Sequence, residues 1–154
     1  MRTLVAYYSR SGNSKFVAEK IAECLNAETC EVVDKKNRKG KWVYLTGGYA
    51  ALREKLTEIE VAKNIDDYDF IIAGSPVWGG KITPAIRTFL VKNDFSGKQV
   101  AYFVTVGGDK PKKALRNMND LISPIIPVGE LGITNAIKNL EEITKQITDW
   151  CKKF

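Results

Sequence analysis

The chain has 154 residues, 44% of them hydrophobic and 27% charged, the balance of an ordinary globular domain with its own core. Its 24 Lys and Arg outnumber 18 Asp and Glu, giving a formal net charge of +6, and it contains no histidine. The missing imidazole excludes Ser-His-Asp and Cys-His nucleophilic sites and any His-ligated metal, so acid–base work would fall to carboxylates, Lys or Tyr.

No apolar run approaches the length of a membrane span, and the N-terminus runs straight into a strand-like segment without a cleavage-site pattern. The expected compartment is therefore the cytoplasm, and residues 1–154 are expected to form one domain. Cys24, Cys30 and Cys151 form no C-x-x-C pair and read as small buried hydrophobes, Cys24 on the apolar side of the first helix. Positive charge gathers at Lys35, Lys36, Arg38, Lys39 and Lys41, and again at Lys110, Lys112, Lys113 and Arg116. The charge could attract an acidic partner or nucleic acid, but neither group is interleaved with aromatics, so both read as solvated surface.

In chain order, Thr3 to Tyr8 is an unbroken apolar and β-branched run, a first strand. Lys15 to Leu25 then spaces Val17, Ile21 and Leu25 on one helical face. Between them lies Ser9-Arg10-Ser11-Gly12-Asn13-Ser14. A strand feeding a helix through such a turn aims free backbone N–H groups and the positive end of the helix dipole above it, which suits a phosphate. The three hydroxyls and the Asn13 amide add donors, although Asn13 or Ser14 would serve equally as a plain helix cap.

Thr29 to Val33 reads as a second strand and 34–41 as a basic loop. Trp42, Leu45, Tyr49, Leu52, Leu56 and Ile59 recur at steps of three and four, predicting a crossover helix interrupted at Gly47-Gly48. Asp69 to Gly74 is a third strand, apolar enough to be covered on both faces, and it opens into the Gly-bearing loop Ser75 to Lys81. Thr83-Pro84 caps a helix running to about Lys92. Gln99 to Thr105 is a fourth strand leading into Val106-Gly107-Gly108-Asp109, followed by a helix marked by Pro111. Ile125 to Val128, flanked by Pro124 and interrupted by Pro127, reads as an edge strand. A last helix carries Ile137, Leu140, Ile143, Ile147, Trp150 and Phe154 on one face.

Five β-α units predict an α/β fold, a doubly wound five-stranded parallel sheet with helices on both faces. In the order 2-1-3-4-5 the switch point lies between strands 1 and 3, where ligands bind at the carboxyl ends. The polar or Gly-rich turns follow strands 1, 3 and 4, neighbours in that order, so three loops are expected to converge on one crevice. Trp78 offers a flat apolar surface for a ring, and Gly107-Gly108 offers backbone that can approach a ring edge.

The loop Ser9 to Ser14, together with this order of elements, resembles the flavodoxin-like family, in particular its short FMN-binding members. The resemblance spans the whole chain and implies FMN as cofactor. It implies Ser9, Arg10, Ser11, Gly12, Asn13 and Ser14 around the phosphate. It further implies Pro76, Val77, Trp78, Gly79 and Gly80 on one side of the flavin ring. Thr105, Val106, Gly107, Gly108 and Asp109 would line the other side and the pyrimidine edge. The chain departs from the family in having Ser11 and Ser14 where Thr is commoner, in lacking an aromatic after strand 4, and in being basic. Competing folds fail on residues: the first turn has neither an acidic pair nor a Cys, and G-x-G-x-x-G and G-x-x-x-x-G-K-[ST] are both absent.

The expected function is electron transfer by an FMN-binding protein between a reductase and an acceptor, redox partners that could be acidic, as monomer or homodimer, with no membrane and no nucleic acid involved. One alternative is an NAD(P)H-dependent quinone or flavin reductase. Another is a flavin-free binding domain that uses the basic loop 35–41.

Overall fold

The computed structural model describes residues 1–36, 55–108, 111–136 and 138–154. Strand β1 (Thr3–Tyr7) is followed by helix α1 (Asn13–Leu25) and strand β2 (Glu28–Asp34). Strands β3 (Ile59–Val61), β4 (Phe70–Trp78) and β5 (Lys81–Ile82) precede helix α2 (Pro84–Lys92). The chain continues as β6 (Gln99–Val106), α3 (Pro111–Ile122), β7 (Gly129–Thr134) and α4 (Leu140–Cys151).

The sheet runs in the order β3-β2-β1-β4-β6-β7. Five of its strands, β2-β1-β4-β6-β7, are parallel and reproduce the expected 2-1-3-4-5 order. Two short antiparallel strands are added to it: β3 along the outer edge of β2, and β5 folding back on the end of β4.

The continuous apolar runs in β1, β4 and β6 follow from burial on both faces. Leu4, Ala6, Ile71, Ala73, Tyr102 and Val104 point to one side, where α2 and α3 supply Ile86, Phe89, Leu115 and Met118. Val5, Phe70, Ile72 and Phe103 point to the other, against Val17 and Ile21 of α1 and Ile143, Ile147 and Trp150 of α4. Each fully buried Leu, Ile, Val, Phe or Met side chain contributes roughly 1.5–3 kcal/mol of transfer free energy to this core. Below the sheet, at the N-terminal ends of its strands, Glu28 collects Lys63, Arg2 and the Tyr68 hydroxyl.

Several expected boundaries move. The third parallel strand does not stop at Gly74 but continues through Ser75, Pro76, Val77 and Trp78, because β5 supplies a new partner where β6 ends. The last strand is 129–134, not 125–128, and both prolines lie ahead of it. Its Gly129 and Gly132 are notches: a Cβ there would lie 2.6 Å from the Phe154 ring and 2.5 Å from the Pro111 ring. Ile59, expected on a helix, pairs with Asp34 as the start of β3, and Leu56 is 48% exposed ahead of it. The rest of that helix (Trp42, Leu45, Gly47, Gly48, Tyr49, Leu52) and most of the basic loop lie outside the described residues, as does Ile137. Cys30 and Cys151 are buried as expected, but Cys24 is exposed, its thiol beside the Thr148 hydroxyl on α4. Leu140 is half exposed, and Phe154 lies beyond the end of α4, packed on Phe70 and Trp150. Among the described residues no helix is long and apolar enough to cross a membrane.

Candidate functional site

The carboxyl ends of β1, β4 and β6 lie side by side, so the loops that leave them share one crevice. Its lining consists of Ser9, Arg10, Ser11, Asn13 and Ser14 after β1, Pro76, Val77 and Trp78 on β4, and Thr105, Val106 and Gly107 at the end of β6. Gly12, Gly79, Gly80 and Gly108 belong to the same three turns without lining the crevice, and Asp109 lies outside the described residues.

The first loop is pinned at both ends. The Tyr8 N–H donates to the Gly74 carbonyl at 3.1 Å, fixing its start to β4. At the helix start Gly12 is the cap residue, with φ 96° and ψ −12°, a left-handed conformation that other residues enter only with strain. No side chain caps α1; the Gly12 N–H donates instead to Ser9 Oγ at 3.2 Å. The helix thus begins two residues earlier than its apolar stripe implied, and Asn13 and Ser14 sit in its first turn. Ser14 turns inward: its hydroxyl meets that of Thr105 at 2.7 Å, and both residues are buried. This bond ties the first loop to the end of β6 across 91 positions of sequence.

Asn13 Oδ1 is buried and has no hydrogen-bond partner among the described residues. A buried acceptor without a partner costs free energy of order 1–3 kcal/mol, which a donor reaching the crevice would recover.

The second wall is a hairpin. Val77 pairs with Ile82 and Trp78 with Lys81, and the two residues between, Gly79 and Gly80, have φ of 58° and 77°. Positive φ at both central positions defines a type I′ turn, the connection that matches the strand twist. Beneath it Ser75 and Thr83 form a buried clasp. The Thr83 N–H donates to Ser75 Oγ at 3.0 Å, and the two hydroxyls lie 3.2 Å apart. Thr83 occupies the expected cap position of α2, but its hydroxyl serves the clasp and not the helix.

Trp78 is held from two directions. The Tyr8 ring meets it edge-on, with centroids 5.7 Å apart and planes at 86°. The Arg10 guanidinium carbon lies 5.7 Å from the centroid of the indole ring, a cation–π distance. Tyr8 and the Ser75–Thr83 clasp escaped the sequence reading. The hydroxyls flanking the turn were the available signal for the clasp, whereas Tyr8 looked like the end of a strand.

Arg10 is the one ionisable side chain among the described lining residues. A lining of hydroxyls, amides, backbone N–H groups and one guanidinium can hold an anion, and the indole can hold a flat ring beside it. These described residues offer no carboxylate, thiol or imidazole to move a proton. Among the described residues no cluster of acidic, Cys or His side chains has metal-ligand geometry.

A flavoprotein from Lactobacillus acidophilus, solved in complex with FMN, superposes with a TM-score of 0.75 at 29% identity over 93% of this chain and 98% of that one. The oxidised Flavodoxin 2 of Bacillus cereus superposes at 0.65 with 21% identity, covering 99% and 97% of the two chains. A curated NAD(P)H dehydrogenase (quinone) from Archaeoglobus fulgidus is 30% identical over 102 residues, 63% of this chain. The chain spans about half the length of that relative, 52%. A family profile described as flavodoxin matches residues 2–153, and the chain belongs to the flavodoxin family.

Proposed function

We propose that the chain binds FMN in the three-loop crevice and carries electrons between a reductase and an acceptor protein. Convergence carries this reading: the anion-holding loop, the Trp78 surface and the Gly107 backbone meet in one lining whose only described ionisable group is Arg10. A site without acid–base groups suits a cofactor that brings its own chemistry, and bound FMN would supply redox chemistry there.

In this reading the Ser9, Ser11 and Ser14 hydroxyls and the N–H groups at the start of α1 hold the phosphate. Asn13 Oδ1 accepts a hydrogen bond from the ligand. Trp78 covers one side of the ring, and the turn at Gly107 and Gly108 brings backbone to its edge. The flavoprotein of L. acidophilus, 29% identical and complexed with FMN, supports the choice of ligand.

A second reading, an NAD(P)H-dependent quinone reductase, draws support from the name of the A. fulgidus relative. It would need one ring face open to the hydride donor, and the turn after β6 carries no aromatic that would cover it.

The test is to add FMN, desalt, record the absorption spectrum and reduce the protein anaerobically in steps. About one flavin retained per chain, reduced in two separated one-electron stages, supports the carrier. A single two-electron stage with NAD(P)H-dependent quinone turnover supports the reductase. Loss of the flavin on desalting overturns both. Positive surroundings favour added negative charge, so the potential for the second electron is expected to be less negative than in acidic flavodoxins. A strongly low value would refute that expectation.

A further inference from the structure

Carboxylates are scarce beside the crevice itself. Glu28, Asp66, Asp67, Asp69 and Asp94 lie at or just before the N-terminal ends of β2, β4 and β6, below the sheet, accompanied by Arg2, Lys63 and Lys98. At the carboxyl ends of the strands the carboxylates keep to the flanks of the crevice, with Asp34 ending β2 and Glu141 and Glu142 opening α4. Residues 1–18 contain no carboxylate, and residues 70–119 contain only Asp94, at the far end, and Asp109, outside the described residues. The same stretches carry Arg10, Lys81, Lys112, Lys113 and Arg116 at the crevice end.

The second basic group reads in the sequence as ordinary solvated surface. The fold gives it a definite address. Helix α3 starts right after the loop that leaves β6, and its first turn packs beside the β4–β5 hairpin. A Cβ placed on Gly80 would lie 4.0 Å from Cδ of Lys113, so the Lys113 stem passes along the turn that follows Trp78. Lys112, Lys113 and Arg116 are exposed, and no ion pair involving them is found among the described residues. No acidic residue occupies the first turn of α3, the place where the helix dipole would favour one. Local stability is thus better served by the opposite charge than by the one present. Breaches of a local rule of this kind cluster at functional surfaces.

We propose that Lys112, Lys113 and Arg116, flanking the Gly79–Gly80 turn, form the docking surface for an acidic face of a redox partner protein. The inference rests on the electron-carrier reading. Transfer between proteins requires the two redox centres to come close, and the crevice end is the end that presents this one. A cationic rim there steers an anionic partner into the productive orientation, so complementarity acts on orientation and association rate. A strand-tracking nucleic-acid surface would interleave aromatics with the charges, and Pro111 to Arg116 contains none.

The test uses the full chain with FMN added and an acidic plant-type ferredoxin as probe, with basic cytochrome c as the opposite-charge control. Binding to the immobilised chain is measured directly, and flavin retention is read separately from the absorption spectrum. Ferredoxin is expected to bind and to weaken at least about tenfold between roughly 10 mM and 300 mM salt, while cytochrome c does not bind. Lys112→Glu with Lys113→Glu should lower ferredoxin affinity at least about tenfold at low salt. Lys145→Glu with Lys153→Glu, an equal change of net charge on α4 and beyond it, should leave affinity within about twofold.

The docking proposal is overturned if ferredoxin fails to bind, if both double variants lose affinity equally, or if the α3 variant binds like the parent. It is also overturned if the rim holds a single-stranded DNA oligonucleotide at the same salt and rejects ferredoxin. Flavin retained in every variant places any such failure on the docking surface. Flavin lost from the parent chain refutes the electron-carrier reading itself, and the inference falls with it.

Discussion

Gly74 lies on β4 opposite Phe103 of β6, on the face covered by α1 and α4, and the Phe103 ring occupies the space a side chain would need. A Cβ on Gly74 would lie 1.9, 2.1 and 2.6 Å from three atoms of that ring, against an ordinary contact of 3.4 Å or more. Gly74→Ala therefore requires the ring to retreat by about 1.5 Å, the difference between 3.4 and 1.9. Phe103 has no exposed surface and is packed among Phe70, Ile72, Leu131 and Ile133, so no open space receives the ring. Overpacking of this kind costs typically 1–3 kcal/mol. In a chain of this length each kcal/mol lowers Tm by about 2–4 °C, so a fall of about 2–12 °C is expected. Urea unfolding of Gly74→Ala, Phe103→Leu and the double variant measures it. Phe103→Leu should cost less in the Gly74→Ala background than in the parent chain, by a coupling of roughly 0.5–3 kcal/mol. A Gly74→Ala variant within about 0.5 kcal/mol of the parent, or costs that simply add, would refute the steric argument.

Further expectations concern the site, the acid limb and the thiols. Ser14→Ala and Thr105→Val each remove one end of a shared buried bond, and each should raise the Kd for FMN about tenfold, roughly 1.4 kcal/mol. Fluorescence titration of the double variant should show less than the summed loss; full additivity would mean the two loops act independently. Lys63, together with the Tyr68 hydroxyl, bonds to the Glu28 carboxylate and holds its pKa below the ordinary 4.5. A carboxyl lowered in the folded state adds stability above its unfolded pKa that is lost as pH falls through the folded one. Glu28→Gln should accordingly flatten the stability–pH profile below about pH 4.5, as followed by acid titration with circular dichroism. Burial pushes the Cys151 thiol up to about 12, while Cys24 is exposed. Maleimide near neutral pH should label Cys24 in the folded chain and reach Cys151 only after unfolding, as read by peptide mass spectrometry.

The parallel core was legible because its strands are covered on both faces, which leaves continuous apolar runs such as Leu4 to Tyr8, Phe70 to Ala73 and Val100 to Val104. The crevice was legible because strand order and turn chemistry coincide at one end of the sheet. What the sequence hid was chiefly set by glycines and by long-range partners. Gly129 and Gly132 weaken the apolar signal of β7, yet they are what admits the Phe154 and Pro111 rings. Pro76 reads as part of the loop after Gly74, but it still aligns with Thr105 and β5 then takes over the pairing. β3 is three residues long and owes its existence to the edge of β2. Asn13 was recognised as polar; that its oxygen is buried without a partner depends on contacts no local pattern encodes.

The two described tryptophans stand on opposite faces of the sheet, and this gives the molecule two internal clocks. Trp78 is partly buried beside Tyr8 and Arg10 at the crevice, whereas Trp150 is enclosed among α4, Phe154 and the face beneath α1. Occupation of the crevice should quench Trp78 and leave Trp150 unchanged, while loosening of the helical layer should do the reverse. In a Trp42→Phe background, stopped-flow emission from single-tryptophan variants would time ligand arrival and core consolidation separately. Refolding in the presence of ligand would then show whether the crevice closes before or after the layer behind it has set.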